Sequence, residues 1–497
     1  MTSAAILTTI QMYEADQLAI DGGISGLELM ENAGQGVAAH IEQGWDPCPV
    51  TILCGPGNNG GDGYVVARSL SEAGWSVQVL ALNDPDTLHG DALEMYRQFD
   101  GDVEILQANS PLSEDLIVDA LFGAGFKGEL PSVVRAVFEK VQLKNTPVVA
   151  IDVSSGIDGT TGEIAEGTPH ADLTVSFFKA KLGHLLYPAR QYLGLLEIID
   201  IGIPEEVLKE LGGIVFENNP DLWIEDLPQP NETGHKYSRG HAAVTGGGIS
   251  ATGAARIAAR AALRSGSGAV TVVSPPSALS VYAHTLEAVM VSSVAEKEAF
   301  GEWLDEKRIH AVLLGPGNGA TERTRDFVET ALERENTVIL DADALTIFKD
   351  DPKHLFEQIK VKPGNAVILT PHEAEFCRLF KEEGPSVERA RKAAQKSGAI
   401  ILLKGASTVI ANPSGQVIIN TNAAPWLATA GSGDALAGII MGLVSAGMDS
   451  FLATAAAAWI HGEAALRRGR GMIAEDIEKE IPYILQWFDQ YLSGDVE

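Results

Sequence analysis

The sequence predicts an α/β protein made of two three-layer αβα domains, and three observations carry that expectation. Short, nearly continuous apolar runs alternate with helical stretches twice over, a Pro-rich polar segment separates the two series, and the ends of the runs are rich in glycine and aspartate. In the first series the runs fall at residues 50–53, 76–80, 116–118, 147–151 and 172–176. Strands without polar alternation are buried on both faces, as in a parallel sheet flanked by helices, so residues 1–220 are expected to form a Rossmann-like domain. Residues 12–44 are helical in character and would pack on that sheet. Residues 221–240 shift to Pro and polar residues and read as a linker or exposed loop. The rhythm restarts at residues 242–245, 269–273, 311–314, 338–340, 366–369 and 399–403, which places a second αβα domain over 221–497.

A chain of 497 residues exceeds one ordinary core, and 45% hydrophobic with 21% charged residues describes a folded protein. No apolar run is long enough to cross a bilayer, and the first residues lack a signal or transit pattern, so a cytoplasmic protein without a membrane partner is expected. Cys48, Cys54 and Cys377 have no metal or disulfide spacing and are expected to be packing residues. The net charge of −31 repels nucleic acid over most of the surface. Phosphorylated ligands must then be held by backbone amides, local Lys or Arg, and bound cations.

The most telling stretch is residues 429–440, where small residues turn into an apolar helix. Free amides at such a helix start, with the positive end of its dipole, seat phosphate oxygens. Asp434 stands beside those amides, with Gly433 before it. A carboxylate next to an anion is unfavourable unless it takes a proton from the group attacking the phosphorus, so Asp434 is a candidate base for a kinase-like step. Its plainer role is a helix cap. Four other strand ends of this series would line the same cleft: Gly317 in the turn 315–319, Asp341 with Asp343, Thr370 with His372, and Lys404, Gly405, Ala406, Ser407 and Thr408. Turn glycine, capping residue or snorkelling lysine explains each singly, but five in chain order favour a site. His461 is expected to be a packing or capping residue, while His235 and Lys236 are kept as candidates for reaching a phosphate.

In the first series the run at 50–53 leads into a glycine-rich loop over 54–63, holding Asn58, Asn59, Gly60, Gly61 and Asp62, before a helix over 64–73. Ligands bind at such strand ends in open α/β sheets, and so many glycines allow backbone to approach a phosphate. Asp119 closes the run at 116–118 and precedes Gly123, Ala124, Gly125, Phe126, Lys127, Gly128 and Glu129, a flexible segment with a cation for a phosphate. Asp152 and Ser155 follow the run at 147–151. Asn59, Asp119 and Ser155 together offer oxygens to a hard cation.

With Lys181 in residues 180–183, these first-half motifs resemble those of NAD(P)H-hydrate epimerases, which interconvert the R and S forms of NAD(P)H hydrated on the nicotinamide ring. The resemblance implies that Asn58, Asn59, Gly60, Gly61, Asp62, the residues from Gly123 to Glu129, and Asp152 hold the substrate. It also implies potassium on Asn59, Asp119 and Ser155. Inversion at a carbon bearing a hydroxyl and a ring nitrogen needs proton transfer, for which Asp152 is the candidate acid or base and Lys181 an electrostatic partner. Ala180 stands where that family tends to have Pro.

The second half resembles the ribokinase superfamily, most closely its NAD(P)H-hydrate dehydratases, and is therefore expected to be ribokinase-like. The resemblance assigns Ala254, Gly317, His372 and Asp434 to the hydrated dinucleotide, and Lys404 through Thr408 with Gly433 to the adenine nucleotide. Ser432 replaces the commoner Thr of the turn. The implied protein is bifunctional and a homo-oligomer. It epimerises NADHX and NADPHX, then dehydrates the S form with ADP and magnesium through a phosphorylated intermediate, releasing AMP and phosphate. The rival readings are a small-molecule kinase that leaves its phosphoryl group on the product, and a non-catalytic first domain.

Overall fold

The computed structural model describes residues 4–229 and 233–494. The chain divides into two compact units, Thr2–Ile214 and Val215–Glu497. In the first, strands β1 (Pro49–Cys54), β2 (Ser76–Ala81), β3 (Val103–Ile105), β4 (Leu116–Ala120), β5 (Val148–Ile151), β6 (Leu173–Phe177) and β7 (Leu195–Ile199) lie in the order β3-β2-β1-β4-β5-β6-β7, every pair parallel. This is the Rossmann strand order with one strand added, and it reverses between β1 and β4, which opens a crevice beyond their C-terminal ends. The central strands β4 and β5 are buried at every position, as their unbroken apolar runs predict. The edge strands β3 and β7 lie outside the expected runs: β3 is three residues long, and β7 reads Leu-Leu-Glu-Ile-Ile with a charge at its centre and exposed positions.

The helix after β1 is Asn58–Glu72, so most of the expected loop over 54–63 is helical. A Cβ at Gly60 would lie 2.0 Å from the Gly55 carbonyl oxygen, and one at Gly61 2.5 Å from the Met30 sulfur. These glycines are therefore packing contacts that let the helix settle on its neighbours, rather than a surface offered to a phosphate.

In the second unit β8 (Val215–Glu217), β9 (His241–Thr245), β10 (Ala269–Ser274), β11 (Met290–Ser293), β12 (Ala311–Leu314), β13 (Thr337–Leu340), β14 (Val367–Leu369), β15 (Ile400–Leu403), β16 (Thr408–Ala411) and β17 (Val417–Asn420) follow one another in sequence. Across the sheet they run β8-β17-β16-β15-β14-β13-β12-β9-β10-β11, parallel from β11 to β15, with β16 antiparallel to both its neighbours. Strand β8 pairs with β17, so residues 215–217, assigned to the first domain from composition, belong to the second. Helix Ser432–Ser445 is almost wholly buried and lies against helix Gly253–Ser265 so closely that a Cβ at Gly438 would come within 2.3 Å of the Ala258 carbonyl oxygen.

All three cysteines are free thiols, but only Cys54 is fully buried; Cys377 is exposed and its thiol donates to Glu373, so it is not a packing residue. Among the described residues no helix is long and apolar enough to cross a membrane.

Candidate active sites

The first crevice is a cavity of about 470 Å³ walled by the ends of β1, β4 and β5, by helix Thr9–Asp21 and by Lys181. Asp152 directly follows β5 with φ 67°, a left-handed conformation that Asp tolerates better than most residues. Both its carboxylate oxygens are engaged. Oδ1 lies 2.9 Å from Lys181 Nζ and accepts from Ser176 Oγ at 2.8 Å, while Oδ2 accepts from the Ala124 amide at 2.8 Å. Burial opposes the charge of Asp152, but Lys181, His184 and the hydrogen bonds outweigh it and hold its pKa at about 2. Lys181, only 2% exposed, also donates to Ser176 Oγ and the Phe177 carbonyl. His184 braces the pair from behind, its Nε2 at 2.8 Å from the Asp152 carbonyl and its Nδ1 accepting from the Lys181 amide. Burial lowers its pKa to about 4, so at neutral pH it is an uncharged strut.

Two more carboxyls face this pair. Asp62, on the helix floor, is pushed well above the usual range by burial and by the charges of Asp152 and Asp16. Asp16, on helix Thr9–Asp21, is raised to about 6, again chiefly by burial. A carboxylate held in its charged form beside carboxyls whose pKa values are pushed up is the kind of pairing that acid and base catalysis uses.

Beneath the cavity Asp119 is wholly buried, accepting from the Ser155 amide at 2.8 Å, Ser155 Oγ at 2.6 Å and the Leu121 amide at 3.2 Å. Burial lifts its pKa to about 6 against those hydrogen bonds. The carboxamide of Asn59 lies beside Gly123, as the Asp152 carboxylate does, and its Nδ2 is buried without a hydrogen-bond partner.

In the second unit Gly431, in a left-handed conformation with φ 87°, is the N-cap of helix Ser432–Ser445, the end at which helix amides lack intrahelical acceptors. Asp434 lies in that first turn, its pKa raised to about 6 by burial and by Asp341, against the pull of Lys404. Lys404 Nζ pairs with Asp341 Oδ1 at 2.7 Å, and Thr370 Oγ1 donates to the same oxygen at 2.8 Å. The ends of β13, β14 and β15 thus converge beside the turn. His461 is buried, with Nε2 3.0 Å from both Ser432 Oγ and the Ser432 carbonyl, and burial lowers its pKa to about 4. It braces the turn, as a packing histidine does.

The family described as NAD(P)H-hydrate dehydratase matches residues 242–483, and the one described as YjeF-related protein N-terminus matches residues 26–183. A bifunctional NAD(P)H-hydrate repair enzyme of Moorella thermoacetica is 36% identical over 519 residues, covering 97% of this chain and 96% of that protein. The chain belongs to the bifunctional NAD(P)H-hydrate repair enzymes. Its counterpart from Salinibacter ruber is 35% identical over 96% of both chains. Among solved structures, an ADP/ATP-dependent NAD(P)H-hydrate dehydratase from Bacillus subtilis, co-crystallised with ATP and magnesium, is 27% identical with a TM-score of 0.49, covering 55% of this chain and 99% of that one.

In this repair enzyme the epimerase-type cavity gathers Asn58, Asn59, Asp62, Gly123, Ala124, Gly125, Phe126, Asp152 and Lys181. Gly60 and Gly61 are buried under it, and Lys127, Gly128 and Glu129 are exposed beyond its lining. In the second unit Ala254 comes within reach of Gly317, where a Cβ on the glycine would lie 3.6 Å from that of Ala254. His372 is the N-cap of helix Glu373–Leu379, its Nδ1 accepting from the Ala374 and Glu375 amides, and its ring remains half exposed beside the bridge to Lys404. Gly405 and Ala406 are exposed, with Ser407 and Thr408 half-buried, at the mouth of the turn from β15 to β16.

His235 and Lys236 are not brought to this site. Their short helix Lys236–Arg239 packs on Gly268, and the adjoining Gly240 lies against Ser445, at the far end of helix Ser432–Ser445. Fourteen helical residues at about 1.5 Å each put roughly 20 Å between them and the turn. Sequence reasoning missed Asp16 as a cavity residue, and Asp341 entered only as part of a strand end. The repeat of Thr9, Met12, Tyr13, Asp16 and Ile20 on one helix face was the available signal for Asp16.

Proposed function

We propose that the two sites run successive steps of nicotinamide repair: epimerisation of R and S NAD(P)HX in the first unit, and ADP-dependent dehydration of the S form in the second. Asp434 carries the second assignment. Its carboxyl, with a pKa of about 6, stands in the first turn of helix Ser432–Ser445, at the positive end of the helix dipole, where it accepts the proton of the substrate hydroxyl as that oxygen attacks the terminal phosphorus of ADP and AMP leaves. The phosphate of the new ester departs with the C–O electron pair as the adjacent carbon gives up a proton to water, restoring the nicotinamide double bond. Hydroxide is a poor leaving group and phosphate a good one, which is the reason for spending a nucleotide. Amides at the start of this helix, such as that of Gly433, stabilise the developing charge, an effect worth about 3–4 kcal/mol per donor in well-studied oxyanion sites. Lys404, fixed by Asp341, supplies positive charge beside Gly433. Magnesium is expected on the nucleotide phosphates, whose charge it neutralises.

In the first unit Asp152, ionised and fixed by Lys181, is the base. The oxygens of Asn59, Asp119 and Ser155 fit a potassium ion, since the buried Asp119 has no cationic side chain paired with it among the described residues and the donors are all hard oxygens. When bound, that ion offsets the buried carboxylate and orders the strand ends around the ligand.

Mixed R and S hydrates incubated with ADP and magnesium test the reading, followed by recovery of reduced-nicotinamide absorbance. A fast phase from S followed by a slow phase from R supports both assignments. A phosphorylated metabolite that persists by mass would overturn the dehydration in favour of a small-molecule kinase.

A further inference from the structure

Asp152 is well placed to take a proton and poorly suited to give one. Two hydrogen-bond donors and a lysine occupy its carboxylate, and they stabilise its charged form. Epimerisation also needs a donor, because the hydroxyl on the inverting carbon cannot leave as hydroxide. Helix Thr9–Asp21 turns Thr9, Tyr13 and Asp16 into the same cavity at spacings of three and four residues. Asp16 has neither hydrogen bond nor ion pair among the described residues, so its carboxyl is free to meet a ligand. It senses Asp152 and Lys181 electrostatically, which places the three groups around one volume.

We propose that Asp16 is the second catalytic carboxyl of the first site, giving and taking a proton opposite Asp152 as the hydrated nicotinamide carbon inverts. This rests on the epimerase reading above. Protonated Asp16 transfers its proton to the substrate hydroxyl, the C–O bond breaks with its electron pair leaving as water, and the ring nitrogen lone pair closes a C=N bond. Water then adds to the other face and gives a proton to Asp152, restoring the hydrate with inverted configuration. The opposite direction retraces these steps from the form in which the single proton sits on Asp152 instead of Asp16, a form that the low pKa of Asp152 makes rare, and both carboxyls re-equilibrate with solvent between turnovers.

The other titratable groups facing the cavity are Asp62, Tyr13, Lys181 and, at the rim, Asp91. Asp62 lies buried on the cavity floor, where burial pushes its carboxyl well above the usual range, whereas the half-buried Asp16 titrates near 6. The slow phase of the full chain should therefore fall about tenfold per pH unit above 6.

The test measures both phases in the full-length chain with ADP and magnesium. Asp16→Asn is expected to lower kcat of the slow phase by about 100-fold or more, leave KM for the R hydrate and the fast phase near wild type, and abolish the fall above pH 6. Asp16→Glu should recover part of the rate and retain a displaced pH break. A slow phase within threefold of wild type in Asp16→Asn overturns the assignment, as does a loss carried wholly by KM with the pH break kept. Should Asp16→Asn fail to fold, Asp16→Glu decides, since an unmoved pH break overturns the proposal. A wild-type chain with no slow phase overturns the epimerase reading and this assignment with it.

Discussion

Replacing Asp434 with Asn should stop dehydration and at the same time stabilise the second unit. Its carboxyl is raised from an ordinary 3.8 to about 6, a displacement of about two units, and each unit is worth about 1.4 kcal/mol. A raised carboxyl pKa means that folding disfavours the ionised form. Wild type therefore meets no penalty below pH 4, loses stability as pH rises from about 4 to 6, and stands about 3 kcal/mol lower on the plateau beyond. Asn does not ionise and escapes that loss. The assay is thermal unfolding followed by tryptophan fluorescence, because the interacting rings of Trp223, Trp459 and Trp487 report on the second unit. The variant should melt about 6–12 °C above wild type at pH 7.5 and converge with it near pH 4. A variant that melts below wild type at pH 7.5, or a gap that does not shrink on acidification, would refute the account of Asp434 as a carboxylate charged at a cost.

Asp152→Asn should keep rapid consumption of the S hydrate while the slow phase drops by about 100-fold or more, measured in the same absorbance trace. His461→Ala removes the brace on Ser432 and should cut the fast phase about tenfold, about 1.4 kcal/mol, with no change in pH dependence between 6 and 8, where the wild-type imidazole is already neutral. Gly438→Ala drives a methyl into the Ala258 carbonyl and should cost about 1–3 kcal/mol, read as a lower tryptophan-monitored melting temperature with the slow phase spared. Exchanging potassium for sodium should slow only the phase from R; an equal effect on both phases would count against the cradle at Asp119.

The alternation of apolar runs made both central sheets legible, because strands buried on two faces leave no polar trace. Edge strands such as Val103–Ile105 did not announce themselves, being short and partly wet. Asp152 and Asp434 stand out in the sequence because one directly follows an apolar run and the other closes a small-residue turn. Asp16 does not, because a charged residue on an amphipathic helix normally faces water, and only tertiary packing turns it into a cavity. Asp341 lies 63 residues from Lys404, and no local pattern records that pairing. The glycines at 60 and 61 were legible as glycines, but the reason for them was mistaken, since a sequence cannot distinguish a hydrogen facing a ligand from one facing a neighbouring chain segment.

That last contact limits how the first cavity can change. Helix Asn58–Glu72 rests with bare Cα atoms on Gly55 and Met30, and any larger residue there must lift the whole helix and carry Asp62 with it. The floor is consequently a rigid bed that mutation can break but hardly reshape. Adjustment of ligand scope is left to the walls, where Tyr13 and Phe126 project from separate segments and can be exchanged one at a time.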